Sequence, residues 1–332
     1  MQTCLADPVE GYYATRQPIG RDGDFVTAPE VGQIFGELIS LWAAAVWQSM
    51  GAPSRVVIVE LGPGRGTLMQ DAFRAWRTVP GLLDAASVAL VETSPALGAI
   101  QNARLAGASV PLTWHERLED VPQGPLIVMA NEFLDALPVR QLVRRSDSWR
   151  ERCIGPDARG GFIFVEGAKV EHDQDAHEGA IFELRPGVEP LVSMLAARAT
   201  EASVAALFID YGHEARGFGD TLQAVRRHDY ADPLASPGES DLTAHVDFAA
   251  LKRAAEAVGL NAYGPMPQGA FLLSLGLEAR RDRLLKRATV VQAEAILTGT
   301  ARLADPRQMG LLFKALALTS AGLAPPPPFG EI

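Results

Sequence analysis

The stretch VVIVELGPGRGTLMQDAF, Val56 to Phe73, decides how this chain is built. Val56 to Val59 is a continuous β-branched run that ends on Glu60, the pattern of a strand buried on both faces in a parallel sheet. Glycine then takes every second position, at Gly62, Gly64 and Gly66. A helical pattern follows, with Leu68, Ala72, Phe73 and Trp76 on one face. Glycine permits positive φ and lets a ligand approach the backbone closely, so this turn marks a binding edge at the end of a buried strand.

The flanking sequence repeats the theme. SVALVETS ends a second strand at Glu92, PLTWH supplies a short third, PLIVMANEF ends a fourth at Asn131, and VAALFIDYG, Val204 to Gly212, is a further buried strand. Strands alternating with helices predict an α/β fold, a mostly parallel sheet with helices on both faces. TAPEVGQIFGELISLWAAAVWQSMG, from Thr27, reads as one helix, capped by Thr27 with Glu30 closing a capping box and stopped by Gly51. Residues 1–50 form an N-terminal helical cap in this reading. Polar-faced strands around RQLVRRSDSWRERCIG and GGFIFVEG mark an inserted α+β segment at about 141–200. A second insertion, helical, is expected at about 277–310, and a helix starts after Asp247.

The chain has 332 residues, 48% of them hydrophobic, and a net charge of −10. That balance argues against a bulk nucleic-acid binder, which requires a dominant basic surface. Two cysteines exclude a disulfide framework. No apolar run reaches membrane-spanning length. The N-terminus lacks the basic start and apolar core of a signal peptide, so a cytoplasmic location is expected. HDQDAH, His172 to His177, lies in a loop pattern with no completing ligands, and no metal site is expected.

Spacing narrows the ligand. A phosphate loop places lysine and then Ser or Thr at the helix start, and no lysine is near Gly66. A dinucleotide fingerprint wants its third glycine at position 67, which is Thr67. Glu60, two places before Gly62, would repel a pyrophosphate but face a cationic amino-acid tail. Glu92, at the end of the second strand, is placed to accept ribose hydroxyls. The expected ligand is therefore a nucleoside without phosphates, held by Glu60, Gly62, Gly64, Gly66, Thr67 and Glu92. Aromatics of GYY, Gly11 to Tyr13, and Gln33 are candidates to cover it. Asn131, Glu132 and Asp135 follow the fourth strand where a second substrate would arrive. A helical turn there would set both carboxylates on one side, able to clamp a guanidinium. His213 enters the same crevice as a further catalytic candidate. Asp241, Thr243, His245 and Asp247 stand between a site role and a turn with an N-cap.

GYY, GDFVTAPEVGQIFGE, VELGPGRGT, NEFLDALPV, IDYGH and PGESDLTAHVDF together resemble the MidA family of S-adenosylmethionine (SAM)-dependent methyltransferases. The resemblance runs from Gly11 to about Leu316. It implies a class I methyltransferase, Rossmann-like fold, with a seven-stranded sheet whose last strand is antiparallel. Residues 51–332 would then be the methyltransferase catalytic domain, with SAM as methyl donor. Asn131 matches the family's post-strand motif beside the cofactor. For mitochondrial members the family activity is protein arginine dimethylation during respiratory complex I assembly. A protein substrate, a complex I subunit or similar, is thus implied. The alternative is a SAM-binding assembly chaperone without turnover.

Overall fold

The computed structural model describes residues 1–7, 9–15, 20 and 23–330. Seven strands make the path of the central sheet: β1 (Val56–Leu61), β2 (Ala86–Val91), β3 (Leu112–His115), β4 (Leu126–Asn131), β5 (Val204–His213), β6 (Asn261–Pro267) and β7 (Phe313–Thr319). Their order is β6-β7-β5-β4-β1-β2-β3. Strands β1 to β5 run parallel to one another, and β7 lies antiparallel between β5 and β6. This is the doubly wound sheet with an antiparallel final strand that the resemblance implied. The chain leaves β1 toward β2 and β3, then returns to build β4 on β1's other side. A crevice opens where the strand order reverses.

Burial on both faces explains the unbroken apolar run in β1. Ile58 joins Ile127 and Leu207 under helices α1 (Gln33–Ser49) and α2 (Thr67–Trp76). The alternate residues, Val57 and Val59, join Val128 and Phe208 on the opposite face. Helix α3 (Pro95–Leu105) adds Leu105 to the first face. There α4 (Val188–Ala199) and α5 (Phe248–Ala257) cover the second face with Leu191, Leu195, Phe248 and Leu251. Each fully buried Val, Ile or Leu contributes about 1.5–3 kcal/mol by leaving water, so a polar residue within β1 would be costly. Glu60, only 4% exposed, is that costly residue.

Two local expectations change. The first long helix is broken at Gly32 into Ala28–Val31 and α1. Thr27 makes no side-chain cap bond. The capping box fails because Glu30 is drawn to charged and hydroxyl partners elsewhere, Arg104 and Thr67. A capping box does form at Thr289, whose side chain and that of Gln292 satisfy each other's backbone N–H groups. Gly51, at φ +85°, ends α1 as expected, and Asp247 caps α5 by accepting from Ala250 N at 2.8 Å.

Between β4 and α4, strands Arg140–Arg145, Ser148–Pro156, Phe162–Val170 and Ile181–Leu184 form a separate four-stranded antiparallel sheet. Helix α4 falls in the 141–200 stretch but packs on the central sheet through its apolar stripe. Helices Leu277–Leu285, Val290–Ala304 and Met309–Leu312 fill the connection from β6 to β7. No described helix is long and apolar enough to cross a membrane.

Candidate active site

A cavity of about 800 Å³ opens at the C-terminal ends of β1, β2 and β4. Glu60 to Arg65, Glu92, Asn131 and Glu132 line it, and Tyr13, Phe25 and Glu30 close it from the N-terminal segment. Among the described residues six carboxylates, Glu30, Glu60, Glu92, Glu116, Glu119 and Glu132, face it against two guanidinium groups, Arg65 and Arg117. Such a lining favours a ligand carrying positive charge.

The glycine turn meets the cavity with Gly62, Gly64 and Gly66 at φ +61°, +52° and +75°. At Gly62 a Cβ would also lie 3.1 Å from the Phe133 ring, so side-chain bulk there would press on the cavity wall. Gly66 opens α2 from the left-handed region. Glu60 Oε2 is buried and accepts no hydrogen bond from the described residues. Burial, with the charges of Asp71 and Glu92, pushes the Glu60 carboxyl well above the usual range. An acceptor oxygen left unpaired at a cavity wall is expensive unless a ligand donor completes it. Glu92 is also pushed up, chiefly by burial. Its Oε1 accepts from Ser94 N at 2.8 Å and its Oε2 from Gln101 Nε2 at 3.1 Å.

Gln101 escaped the sequence reading. Fully buried, it also donates to the Gly64 carbonyl at 2.7 Å and accepts from Trp114 Nε1 at 3.0 Å. It therefore braces the glycine turn against Glu92. The signal was present: Leu97, Gln101 and Leu105 recur every four residues, placing a polar side chain on a buried helical stripe. Thr67 lines the cavity, with its hydroxyl donating to Glu30 and accepting from Arg104.

Glu132 has φ +50°, an uncommon conformation for a non-glycine residue. Its Oε1 accepts from Ala28 N at 2.9 Å and from Asn131 Nδ2 at 3.0 Å. Burial raises its carboxyl to about 7, against the lowering effect of the Ala28 bond. Asn131 Oδ1 is buried without a donor among the described residues. The strained loop is held from below by Asp210, whose Oδ2 accepts from the backbone N–H groups of Phe133, Leu134 and Asp135 at 3.2, 2.9 and 3.2 Å. This acid of IDYGH thus sets the geometry of the post-β4 loop.

Three expected positions lie elsewhere. No helical turn follows Asn131, and Asp135 does not line the cavity beside Glu132. Its Oδ2 accepts instead from Tyr211 Oη at 2.6 Å, while Oδ1 is buried with no partner among the described residues. His213 faces a separate hollow with His245, its Nδ1 2.8 Å from the Ala215 carbonyl. The short strand Val246–Asp247 pairs against Gly212 and His213 at that end of β5 and lines the same hollow as His213. Gln33 is exposed on a different hollow with Leu284 and Ile296, because the chain turns at Gly32. Of the aromatics, Tyr13 lines the cavity and donates to Asp241 Oδ1 at 2.9 Å, and buried Tyr12 donates to Asp24 at 2.7 Å. His172 packs its ring 4.5 Å from that of Phe182. Among the described residues no group of His, Cys, Asp and Glu is arranged to hold a metal ion.

The sheet topology and the cavity at its switch point define a class I methyltransferase fold. The chain belongs to the S-adenosyl-L-methionine-dependent methyltransferase family whose model matches residues 38–266. It is 38% identical to the mitochondrial protein arginine methyltransferase NDUFAF7 homolog of Drosophila melanogaster, over 98% of this chain and 81% of that protein. It is 33% identical to human mitochondrial protein arginine methyltransferase NDUFAF7, over 96% of this chain and 78% of the relative. A methyltransferase-type structure from Burkholderia thailandensis bound to S-adenosyl-homocysteine superposes with a TM-score of 0.82 at 29% identity, covering 98% of this chain and 87% of that one. The cytoplasmic location expected from the N-terminal sequence is overturned by the curated relatives, which are named as mitochondrial proteins.

The cofactor is SAM, and the cavity fits it. Unpaired Glu60 Oε2 suits an ammonium donor, the side-chain-free turn at Gly62 leaves room for backbone approach, and the acidic lining suits a sulfonium cation.

Proposed function

We propose that this enzyme methylates an arginine guanidinium of a protein, a respiratory complex I subunit or similar, with Glu60 facing the cofactor's ammonium and Glu92 its ribose. The observation that carries the acceptor is the shortage of donors around the post-β4 loop. Glu132 Oε1 is tied to Ala28 and Asn131, its Oε2 accepts from no described residue, and Asn131 Oδ1 is unpaired. Acceptor atoms without donors suit guanidinium, which offers five N–H groups in a planar fork. The names of the curated relatives support the same choice.

SAM, when bound, supplies an electrophilic methyl group. The chain's part is to orient the acceptor and handle its proton. Glu132, anchored through one oxygen, holds the guanidinium with the other and takes the proton that the methylated nitrogen gives up. A carboxyl raised to about 7 is suited to accept that proton near neutral pH. Positioning in a water-poor cleft contributes the rest. The test is incubation with labelled SAM and extracts of cells lacking the protein, followed by mass spectrometry. A methylarginine that depends on the enzyme supports the reading. Label that appears only on lysine, or on no protein, refutes it.

A further inference from the structure

The helices Leu277–Leu285 and Val290–Ala304 form a hairpin that takes no part in lining the cavity. Val290–Ala304 has 15 residues, of which only Glu294 and Arg302 are charged, yet it buries only Thr300 and Leu303. A helix of that composition ordinarily turns its apolar stripe to the core. Here Val290 is 85% exposed, Val291 77% and Leu297 50%. Val290 and Leu297, two turns apart, share one face. A valine exposed to that degree stands out from the surface and cannot form the floor of a groove.

Cations lie beside these valines. Arg280 is held by Glu37 at 2.6 Å, and Arg281 by Asp282 at 2.8 Å. Arg283, Lys286 and Arg287 are exposed and have no carboxylate within ion-pair distance among the described residues. Lys286 and Arg287 sit in the turn that leads into Val290. Residues 277–304 carry six Lys and Arg against three Asp and Glu, in a chain of net charge −10. The N-terminus of Val290–Ala304 adds the positive end of its dipole at the same point. The capping box closes the tip: Thr289 N donates to Gln292 Oε1 at 2.9 Å, and Gln292 N to Thr289 Oγ1 at 3.3 Å. Two backbone donors are thereby satisfied where the apolar side chains protrude.

We propose that this hairpin tip docks the enzyme on an anionic membrane surface, lying on it rather than crossing it. The valines enter the headgroup boundary, and Arg283, Lys286 and Arg287 meet lipid phosphates. Charge complementarity selects this occupant. A two-fold contact with a second copy would bring the same unpaired cations against each other. A nucleic acid would use the cations and leave the valines in water. The foot of the hairpin touches the active-site wall: Arg302 Nη2 donates to the Val26 carbonyl at 3.4 Å, in the segment whose Ala28 N anchors Glu132. Arg302 stands 12 residues from Val290, about 18 Å along the helix. Docking therefore holds the cavity near the lipid, within reach of acceptors at that surface.

The experiment sediments the purified chain with vesicles of phosphatidylcholine alone and of phosphatidylcholine and phosphatidylserine in equal amounts, at low and high salt. Wild type should pellet with the mixed vesicles, far less with phosphatidylcholine, and come off as salt rises. The triple variant Arg283→Gln, Lys286→Gln, Arg287→Gln should bind the mixed vesicles about a hundredfold more weakly, at about fivefold per cation. The double variant Val290→Ser, Val291→Ser should lose about tenfold or more. Both variants should keep wild-type Tm and S-adenosyl-homocysteine affinity, since the altered side chains are exposed and lie outside the cavity. Wild type that stays in solution with both lipids overturns the inference, and so does equal binding by wild type and either variant. A doubled mass in sedimentation equilibrium that the valine variant abolishes, without vesicle binding, overturns it in favour of a second copy. None of these outcomes bears on the arginine reading, which the hairpin does not enter.

Discussion

Replacing Glu132 by Gln separates charge from shape at the post-β4 loop. The amide oxygen can still accept from Ala28 N and Asn131 Nδ2, now held at 2.9 and 3.0 Å, so the loop keeps its two anchors. The group turned toward the cavity changes from a carboxylate oxygen to an NH₂ donor, which repels the N–H groups of a guanidinium. Loss of one electrostatic stabiliser in a closed site costs about 10²–10³ in turnover, roughly 3–4 kcal/mol. Stability should move the other way. The folded carboxyl is raised from 4.5 to about 7, so its stabilising contribution is full below pH 4.5 and is lost as pH rises through 7. Above that pH the wild-type charge costs up to about 3 kcal/mol, less whatever solvent at the cavity-facing oxygen screens. Glu132→Gln should therefore melt higher than wild type at pH 8, bind S-adenosyl-homocysteine normally in calorimetry, and incorporate at least a hundredfold less label. Normal label incorporation with normal product binding would remove Glu132 from the reaction.

Three other outcomes follow from the cofactor side. Burial raises the Glu60 carboxyl and pairing with an ammonium would lower it again; SAM binding should therefore release protons and tighten as pH rises, read from calorimetry in buffers of different ionisation enthalpy. Glu60→Gln should abolish the buffer dependence and weaken binding about tenfold or more. Gly62→Ala, which meets both a positive φ and the Phe133 ring, should lose more cofactor affinity than Gly66→Ala, whose nearest neighbour stands 3.5 Å from the new Cβ and whose cost is about 1–2 kcal/mol of backbone strain. Gln101→Met should lower Tm and weaken S-adenosyl-homocysteine binding together, because it leaves the Trp114 N–H unpaired and frees both Gly64 and Glu92. A drop in Tm with unchanged product affinity would show that the brace serves packing alone.

The strands, their mostly parallel run and the glycine turn could be read from sequence because they rest on local rules. Burial on both faces demands an unbroken apolar run, and left-handed backbone favours glycine. Glu60 and Glu92 were legible for the same reason, since an acid closing a buried strand has only the crevice to face. What sequence could not decide was which distant side chains meet. Asp135 sits three residues from Glu132, yet the turn after β4 sends it to Tyr211, and Tyr13 finds its partner in Asp241, 228 positions along the chain. Glu30 had the right spacing for a capping box, but folding brought Arg104 and Thr67 within reach, and those partners won. His213 lies at the end of a strand whose neighbour β4 meets the cavity, but it faces a separate hollow with His245 and pairs with Asp247. Local backbone preference and hydrophobic periodicity act within a few residues, and the sequence displays them directly. Pairing among buried charges depends on distances that exist only once the sheet has closed, so the acceptor side of this site belongs to the tertiary structure.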